Sequence, residues 1–356
     1  MRTAIIPGMP NAHSHAFQRG LRGRGERVSP GGDFWAWRQG MYELAAGLEP
    51  SSMQAVAAAV FAEMRANGYG AVGEFHYVHH QPDGTPYDDD VNALALAVAA
   101  GAREAGLPLV LLPAAYHRGG HPRFRDATVE SFLERVDALR SAGVACGIAA
   151  HSVRACPPEW LTEIARYSEA HGLVRHVHAC EQPRERVECE AEHGCGPIEL
   201  LSRCGFLGEL ATVVHATHTD AADIALLAGS GTTVAVCPTT EGNLGDGVPP
   251  LAAFAEAGLR LAIGSDSQVR IDPFEEVREL ETLARRESLT RAALLAGAGD
   301  LWAELCANGL ISLGLTQALP VTIDRDHSDL RGIVDADLPL ALATCASAAI
   351  VVQAGV

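Results

Sequence analysis

A closed (β/α)8 barrel is the fold class that this 356-residue sequence predicts, and three observations predict it. Eight short segments rich in β-branched and aliphatic residues alternate with longer segments of helical periodicity. The short segments are near-continuously apolar, as strands are when both faces of a parallel sheet are covered. The glycine-rich phosphate fingerprint that an open doubly wound sheet carries after its first strand is absent.

The predicted strands are Pro10–His15, Ala71–Tyr77, Pro108–Tyr116, Cys146–Val153, Val174–Cys180, Ala211–Thr217, Thr232–Cys237 and Arg260–Asp266. Between them the periodicity predicts helices at Ser51–Asn67, Val91–Ala105, Thr128–Ser141 and Pro158–His171, each followed by a stop glycine (Gly68, Gly106, Gly143, Gly172), and at Asp220–Leu227. The connection from Arg19 to Pro50 is long and holds Trp35, Trp37 and Arg38. Connections of that size in a compact domain are usually lids or binding elements. Both tryptophans are read as packing this connection onto the barrel. Beyond the eighth strand Leu289–Leu313 reads as helical, and the chain closes on a strand-like run, Ala348–Val352.

Composition narrows the function. With 48% hydrophobic and 20% charged residues the chain has the profile of a globular protein with a sizeable core. A formal net charge of −17 argues against nucleic acid or anionic membrane as a partner. Nine cysteines without a Cys-x-x-Cys pair, and no basic segment leading an apolar run, are what reduced thiols in a cytoplasmic protein would show. The longest apolar runs, such as Leu107–Ala115, are too short to span a bilayer.

The polar residues carry the chemistry. Side chains alternate along a strand, so His13 and His15 project to one side and can bind one ion together. His176 and His178 do the same on the fifth strand, His215 closes the sixth, and Asp266 closes the eighth. All lie at carboxyl ends, the face that carries the active site in (β/α)8 enzymes. Imidazoles and a carboxylate without cysteine suit a borderline divalent ion, zinc first. Spacing alone does not choose between His176 and His178.

Four segments, Pro7 to His15, His178 to Glu181, Val214 to His218 and Ile263 to Ser267, resemble the amidohydrolase superfamily in its deaminase branch. Flanking motifs at His13–Arg19, Phe34–Arg38, Glu74–His80, His151–Ala155 and Thr240–Gly247 are similar to the formimidoylglutamate deiminases of histidine breakdown. The resemblance runs from about Ala4 to Leu340. It implies that His13, His15, His178 and Asp266 hold one divalent ion, Zn2+ first, because the family places its acid–base carboxylate, here Glu181, three residues after the ligand of the fifth strand. His176 then becomes a structural group.

The same resemblance implies that Asp266 takes a proton from the attacking water, that Glu181 delivers one to the departing nitrogen, and that His215 hydrogen-bonds the attacking or tetrahedral oxygen. Gln18, Arg38, Tyr77, His151 and Arg154 match positions that bind a small-molecule substrate with two carboxylates, for which an arginine fork is suited. A homodimer is expected because relatives form one. Relatives also begin earlier, with strands that complete a small β-sandwich. Residues 1–313 are therefore expected to form a metal-dependent amidohydrolase barrel and 314–356 an incomplete remnant of the sandwich. A zinc deaminase acting on a nucleobase or nucleoside, a hydrolase releasing formamide from the same substrate, and an inactive barrel scaffold are the competing expectations.

Overall fold

The computed structural model describes residues 2–24, 34–291, 293–295 and 299–352. Eight parallel strands run in sequence order around a barrel: β2 (Met9–Ser14), β3 (Tyr69–His76), β4 (Leu109–Ala115), β5 (Ile148–Ser152), β6 (Arg175–Ala179), β7 (Ala211–His215), β8 (Thr233–Val236) and β9 (Arg260–Ile263). Every predicted strand forms, its ends displaced by a few residues at most. The last strand closes on the first through a parallel bridge between Ser14 and Asp266. There His15 N–H donates to the Asp266 carbonyl and Asp266 N–H to the His13 carbonyl, both at 3.0 Å. The seam that shuts the barrel thus passes through three of the predicted ligands.

The predicted helices form as α2 (Pro50–Asn67), α3 (Ala93–Ala105), α4 (Val129–Ser141), α5 (Pro158–His171) and α8 (Ala221–Ser230). Gly68 ends α2 at φ 109°, a left-handed conformation that favours glycine. Asp220 caps α8 by accepting the N–H groups of Ala222 and Asp223. The long first connection is partly helical: a 3-10 turn at Ala16–Leu21 precedes α1 (Phe34–Ala46), and positions 25–33 lie outside the described residues.

Three expectations need correction. Pro273–Ser288 forms an unforeseen helix, capped by Asp272 through the N–H groups of Phe274 and Glu275; its capping aspartate and following proline were a readable start signal. The run expected as one helix over Leu289–Leu313 is not continuous: Leu289 turns left-handed at φ 56°, turns follow it, and its last helix is Leu301–Leu313. The run Ala348–Val352 is no strand: Ala348–Ile350 is a 3-10 turn with Ile350 fully buried, and only Val351 makes a bridge, to Ile323. The tail has found cover on the barrel, since Leu338–Thr344 packs on Pro273–Ser288 and Ala348 N–H donates to Asp272. An unforeseen strand, β1 (Thr3–Pro7), pairs antiparallel with β10 (Pro320–Asp324) from Thr3↔Asp324 to Pro7↔Pro320. Among the described residues no helix is long and apolar enough to cross a membrane.

Candidate active site

Strand ends place the site. β2 delivers His13 and His15, β6 delivers His178, β7 delivers His215, and the turn after β9 delivers Asp266. The backbone there is strained: Cys180, His215, Ala216, Asp266 and Gln268 all have positive φ, between 42° and 73°. Such conformations cost about 1–3 kcal/mol each and persist only where surrounding structure holds them.

The three imidazoles converge. His13 Nε2 lies 3.1 Å from His15 Nε2 and 3.0 Å from His178 Nε2, and Asp266 Oδ1 is 3.5 Å from the first and 3.3 Å from the second. Nδ1 of His15 meets the Phe75 carbonyl and Nδ1 of His178 the His151 carbonyl, both at 2.8 Å. A carbonyl only accepts, so each Nδ1 carries the proton and each Nε2 presents a lone pair. Burial holds the rings neutral, lowering His13 to about 3 and lowering His15 and His178 as well.

Facing lone pairs beside a carboxylate repel one another unless a cation lies between them. Two donors about 2.1 Å from one ion in a tetrahedral set would stand about 3.4 Å apart, close to the spacing here. Three neutral nitrogens, with the Asp266 oxygen 3.5 and 3.3 Å from two of them, therefore fit a borderline divalent ion. Cys237 lies near Asp266 and His215, but burial raises its thiol well above the ordinary range and keeps it neutral.

A polar network beneath the ligands was missed in the sequence. Asn11 Nδ2 donates to Ser265 Oγ (2.6 Å), Ser265 Oγ to Gln268 Oε1 (2.8 Å), Gln268 Nε2 to Ser14 Oγ (3.0 Å), and Ser14 Oγ to Glu74 Oε2 (2.5 Å). Glu74 Oε1 accepts the Ala16 N–H at 2.7 Å. Each hydroxyl donates once and accepts once, so the chain is satisfied and braces the His13–His15 strand against the Asp266 turn. Burial raises the Glu74 carboxyl to about 8, against those two hydrogen bonds. A carboxylate inside an otherwise apolar strand was the available signal. Replacing Glu74 with alanine orphans the Ser14 hydroxyl and the Ala16 N–H. Stability is expected to fall by about 2–5 kcal/mol and affinity for a divalent ion by about 10- to 100-fold. Urea unfolding and a metal-competition titration check this, and an unchanged affinity would remove Glu74 from the support of the ligands.

Gly264 is a second support. A Cβ there would lie 2.8 Å from His13 Cβ and 3.0 Å from Cys237 Sγ, so any side chain pushes on the ligand strand. His176 shares a strand face with His178, yet its Nε2 donates to the Ser312 carbonyl at 2.8 Å, as a structural group should.

Around the donor set lies a narrow pocket lined by His15, Gln18, Arg38, Tyr77, His151, Arg154, His178, Glu181, His215 and Asp266. Every residue given a metal, catalytic or substrate role from the sequence lines it except His13, which is fully buried behind it. Glu181 Oε1 is 3.7 Å from His215 Nε2, and Glu181 Oε2 accepts from Arg154 Nη2 at 3.2 Å. Arg154 Nε also lies 3.6 Å from Glu185 Oε2. Arg154 Nη1 is buried and, among the described residues, has no hydrogen-bond partner. Arg38 Nη2 donates to the Tyr116 hydroxyl at 2.9 Å, and Gln18 Nε2 to the Tyr77 hydroxyl at 2.8 Å. Burial, then the charges of Arg154 and Arg38, lower His151 well below its ordinary range, so it is neutral. Burial works against charge on His215 too, but a hydrogen bond with Glu241 and the carboxylates of Glu181 and Asp266 raise it to about 10.

The helix α1 covers the pocket with Phe34, Trp37, Arg38 and Met41, so Trp37 contributes wall as well as packing. The Trp35 ring sits beside three guanidiniums, those of Arg184, Arg38 and Arg154, at 4.6, 5.5 and 5.8 Å. A wider surface groove lined by Arg186, Glu190, Asp220 and Asp223 has its arginine already paired with both aspartates and holds no such convergence.

Comparison with known proteins agrees with this architecture. The chain is 40% identical over 292 residues to a formimidoylglutamate deiminase of Pseudomonas aeruginosa, a match covering 78% of this chain and 64% of that relative, less than two thirds of its length. A 5-methylthioadenosine/S-adenosylhomocysteine deaminase of Archaeoglobus fulgidus is 27% identical over 308 residues, 86% of this chain and 68% of that one. Among solved structures, an amidohydrolase from Brucella melitensis superposes with a TM-score of 0.86 at 33% identity, covering 94% of this chain and 80% of that one. A zinc-bound adenosine deaminase from Xanthomonas campestris shares the fold, with a TM-score of 0.79 at 23% identity over 98% of this chain and 78% of its own. The model of the amidohydrolase family matches residues 4–318; with its closed parallel barrel and histidine-bearing strand ends, the chain belongs to the amidohydrolase family.

Proposed function

We propose that this protein is a zinc-dependent deiminase that hydrolyses N-formimidoyl-L-glutamate to N-formyl-L-glutamate and ammonia in histidine breakdown. One observation carries the reading: a single pocket joins a metal-type donor set, the carboxylate of Glu181 and two guanidiniums, Arg38 and Arg154. The likeness to the Pseudomonas deiminase supports it.

Zinc held by His13, His15, His178 and Asp266 would supply Lewis-acid activation of a water at neutral pH. Asp266 accepts a proton from the attacking water as its oxygen bonds the protonated amidine carbon. His215 Nε2, facing both Glu181 and Asp266, hydrogen-bonds the oxygen that becomes the formyl carbonyl. Glu181 carries a proton to the terminal nitrogen, so the C–N bond breaks with ammonia, not amide anion, leaving. Arg154, through its unpaired Nη1, and Arg38 bind the two carboxylates, while Gln18, Tyr77 and His151 position the chain between them.

A second reading, deamination of a nucleoside, has the Archaeoglobus relative in its favour. A neutral ring does not call for two guanidiniums. Zinc-loaded protein should release ammonia from N-formimidoyl-L-glutamate with a kcat/KM at least about 10³-fold above that for 5′-methylthioadenosine, S-adenosylhomocysteine or adenosine, a ratio that unpaired buried charge can enforce. Preference for a nucleoside overturns the proposal. Formamide in place of ammonia makes the enzyme a hydrolase of the other bond.

A further inference from the structure

His215 does its work through one ring atom, and the structure shows what holds the other. Its Nε2 faces the pocket, 3.7 Å from Glu181 Oε1 and 3.9 Å from Asp266 Oδ2. Its Nδ1 meets Glu241 Oε1 at 3.1 Å. Both residues are 1% exposed. His215 also sits at φ 73°, a backbone conformation that local preference would not choose.

Glu241 comes from a different element, the short helix α9 (Pro238–Leu244) that follows β8. The same Oε1 accepts the Cys237 N–H at 2.9 Å, and the Glu241 carbonyl accepts the Asp246 N–H at 2.9 Å. Glu241 is therefore anchored at both ends and cannot follow the ring if the ring turns. Its Oε2 is buried and, among the described residues, has no hydrogen-bond partner. A carboxylate placed only to cap its own helix needs the Cys237 bond alone. The bond to His215, which joins two neighbouring strand ends, is extra to that need.

We propose that Glu241 is a positioning residue: its carboxylate requires the proton on Nδ1 of His215, locks the ring, and leaves Nε2 as the atom aimed between Glu181 and Asp266. The consequence for chemistry rests on the hydrolytic reading of the pocket; the tautomer does not. A carboxylate accepts and never donates, so the ring keeps a proton on Nδ1 both in its charged form, which the surrounding carboxylates favour, and in its neutral one; a bare Nδ1 would set two acceptors against each other in a buried site. Carboxylates that orient an imidazole in this way are worth orders of magnitude in turnover where they have been removed from other enzymes.

Two measurements on full-length zinc-loaded protein test this. The first is 15N NMR of histidine side chains, with His215 assigned by its loss in His215→Asn. A protonated Nδ1 is expected, with a slowly exchanging N–H that disappears in Glu241→Ala; a bare Nδ1 in the wild type overturns the proposal, whatever the substrate proves to be. The second is a double-mutant cycle on ammonia release. Glu241→Ala should lower kcat by about 10²-fold or more, with KM and zinc content within twofold, and Glu241→Gln, which keeps an acceptor oxygen, should recover part of the loss. In the His215→Asn background Glu241→Ala should cost less than threefold more. A full additional loss there, or a wild-type kcat in a less stable Glu241→Ala, reduces Glu241 to a helix cap and overturns the assignment. Should Glu241→Ala fail to fold, the wild-type spectrum decides alone: an Nδ1 bare in the wild type rejects the proposal, and a protonated, slowly exchanging one supports it. Absence of turnover in the wild type, with Nδ1 protonated, instead rejects the substrate reading and leaves this one standing.

Discussion

Glu181→Gln is expected to lower kcat for ammonia release by about 10²- to 10⁴-fold while zinc content stays unchanged. The range is that of a positioned acid–base group, or about 3–5 kcal/mol of barrier. Glutamine keeps the shape of the side chain and an oxygen for Arg154 Nη2, which now lies 3.2 Å from Glu181 Oε2. It cannot hold and release a proton. The proposed metal ligands are expected to survive because Glu181 is not among the converging donors, and the Nδ1 atoms of His15 and His178 are fixed by the Phe75 and His151 carbonyls. Metal analysis beside a stopped ammonia assay makes the check. Near-normal turnover with a full complement of metal would take Glu181 out of the chemistry.

Arg154→Ala is expected to lower kcat/KM by about 10²- to 10⁴-fold, the scale of truncating one partner of a buried charged pair, again without loss of zinc. The structure makes this more than a lost substrate contact. Arg154 is the counter-charge of Glu181 and Glu185, and Glu185 is fully buried with its carboxyl already raised by burial. Without the guanidinium, the carboxylates of Glu181 and Glu185 lose their shared counter-charge in a buried site, so kcat falls along with affinity. Arg38 has no carboxylate partner among the described residues and bonds Tyr116, so Arg38→Ala should act chiefly on KM. Steady-state kinetics separates the two patterns. A change of less than threefold in kcat/KM for Arg154→Ala would sink its assignment, and Arg154→Lys should rescue little, because an ammonium cannot replace a planar fork held between two carboxylates.

Much of this site is legible along the chain because its signals are local. Strand alternation puts His13 beside His15, and each ligand closes an apolar run whose end can be counted. The order of eight such runs then brings those ends to one face without further information. The helix at Pro273–Ser288 was equally local and was passed over, although Asp272 and Pro273 marked its start. The strand-like tail failed for the opposite reason: Ala348–Val352 has strand composition, but packing on the barrel turns Ala348–Ile350 to bury Ile350, and the tail meets the free edge of β10 only at the Val351–Ile323 bridge.

By itself the sequence determined the strand count, the donor types and their placement at carboxyl ends, since these depend on periodicities of two and 3.6 residues and on residue chemistry. Only the tertiary structure decided that the Ser312 carbonyl is what holds His176, that Arg154 is shared between Glu181 and Glu185, and that Glu74 and Glu241 hold the ligand strand and His215. Each of these is a contact between segments far apart in the chain, set by barrel register and closure. No local pattern encodes such a distance; the packing of the whole sheet does.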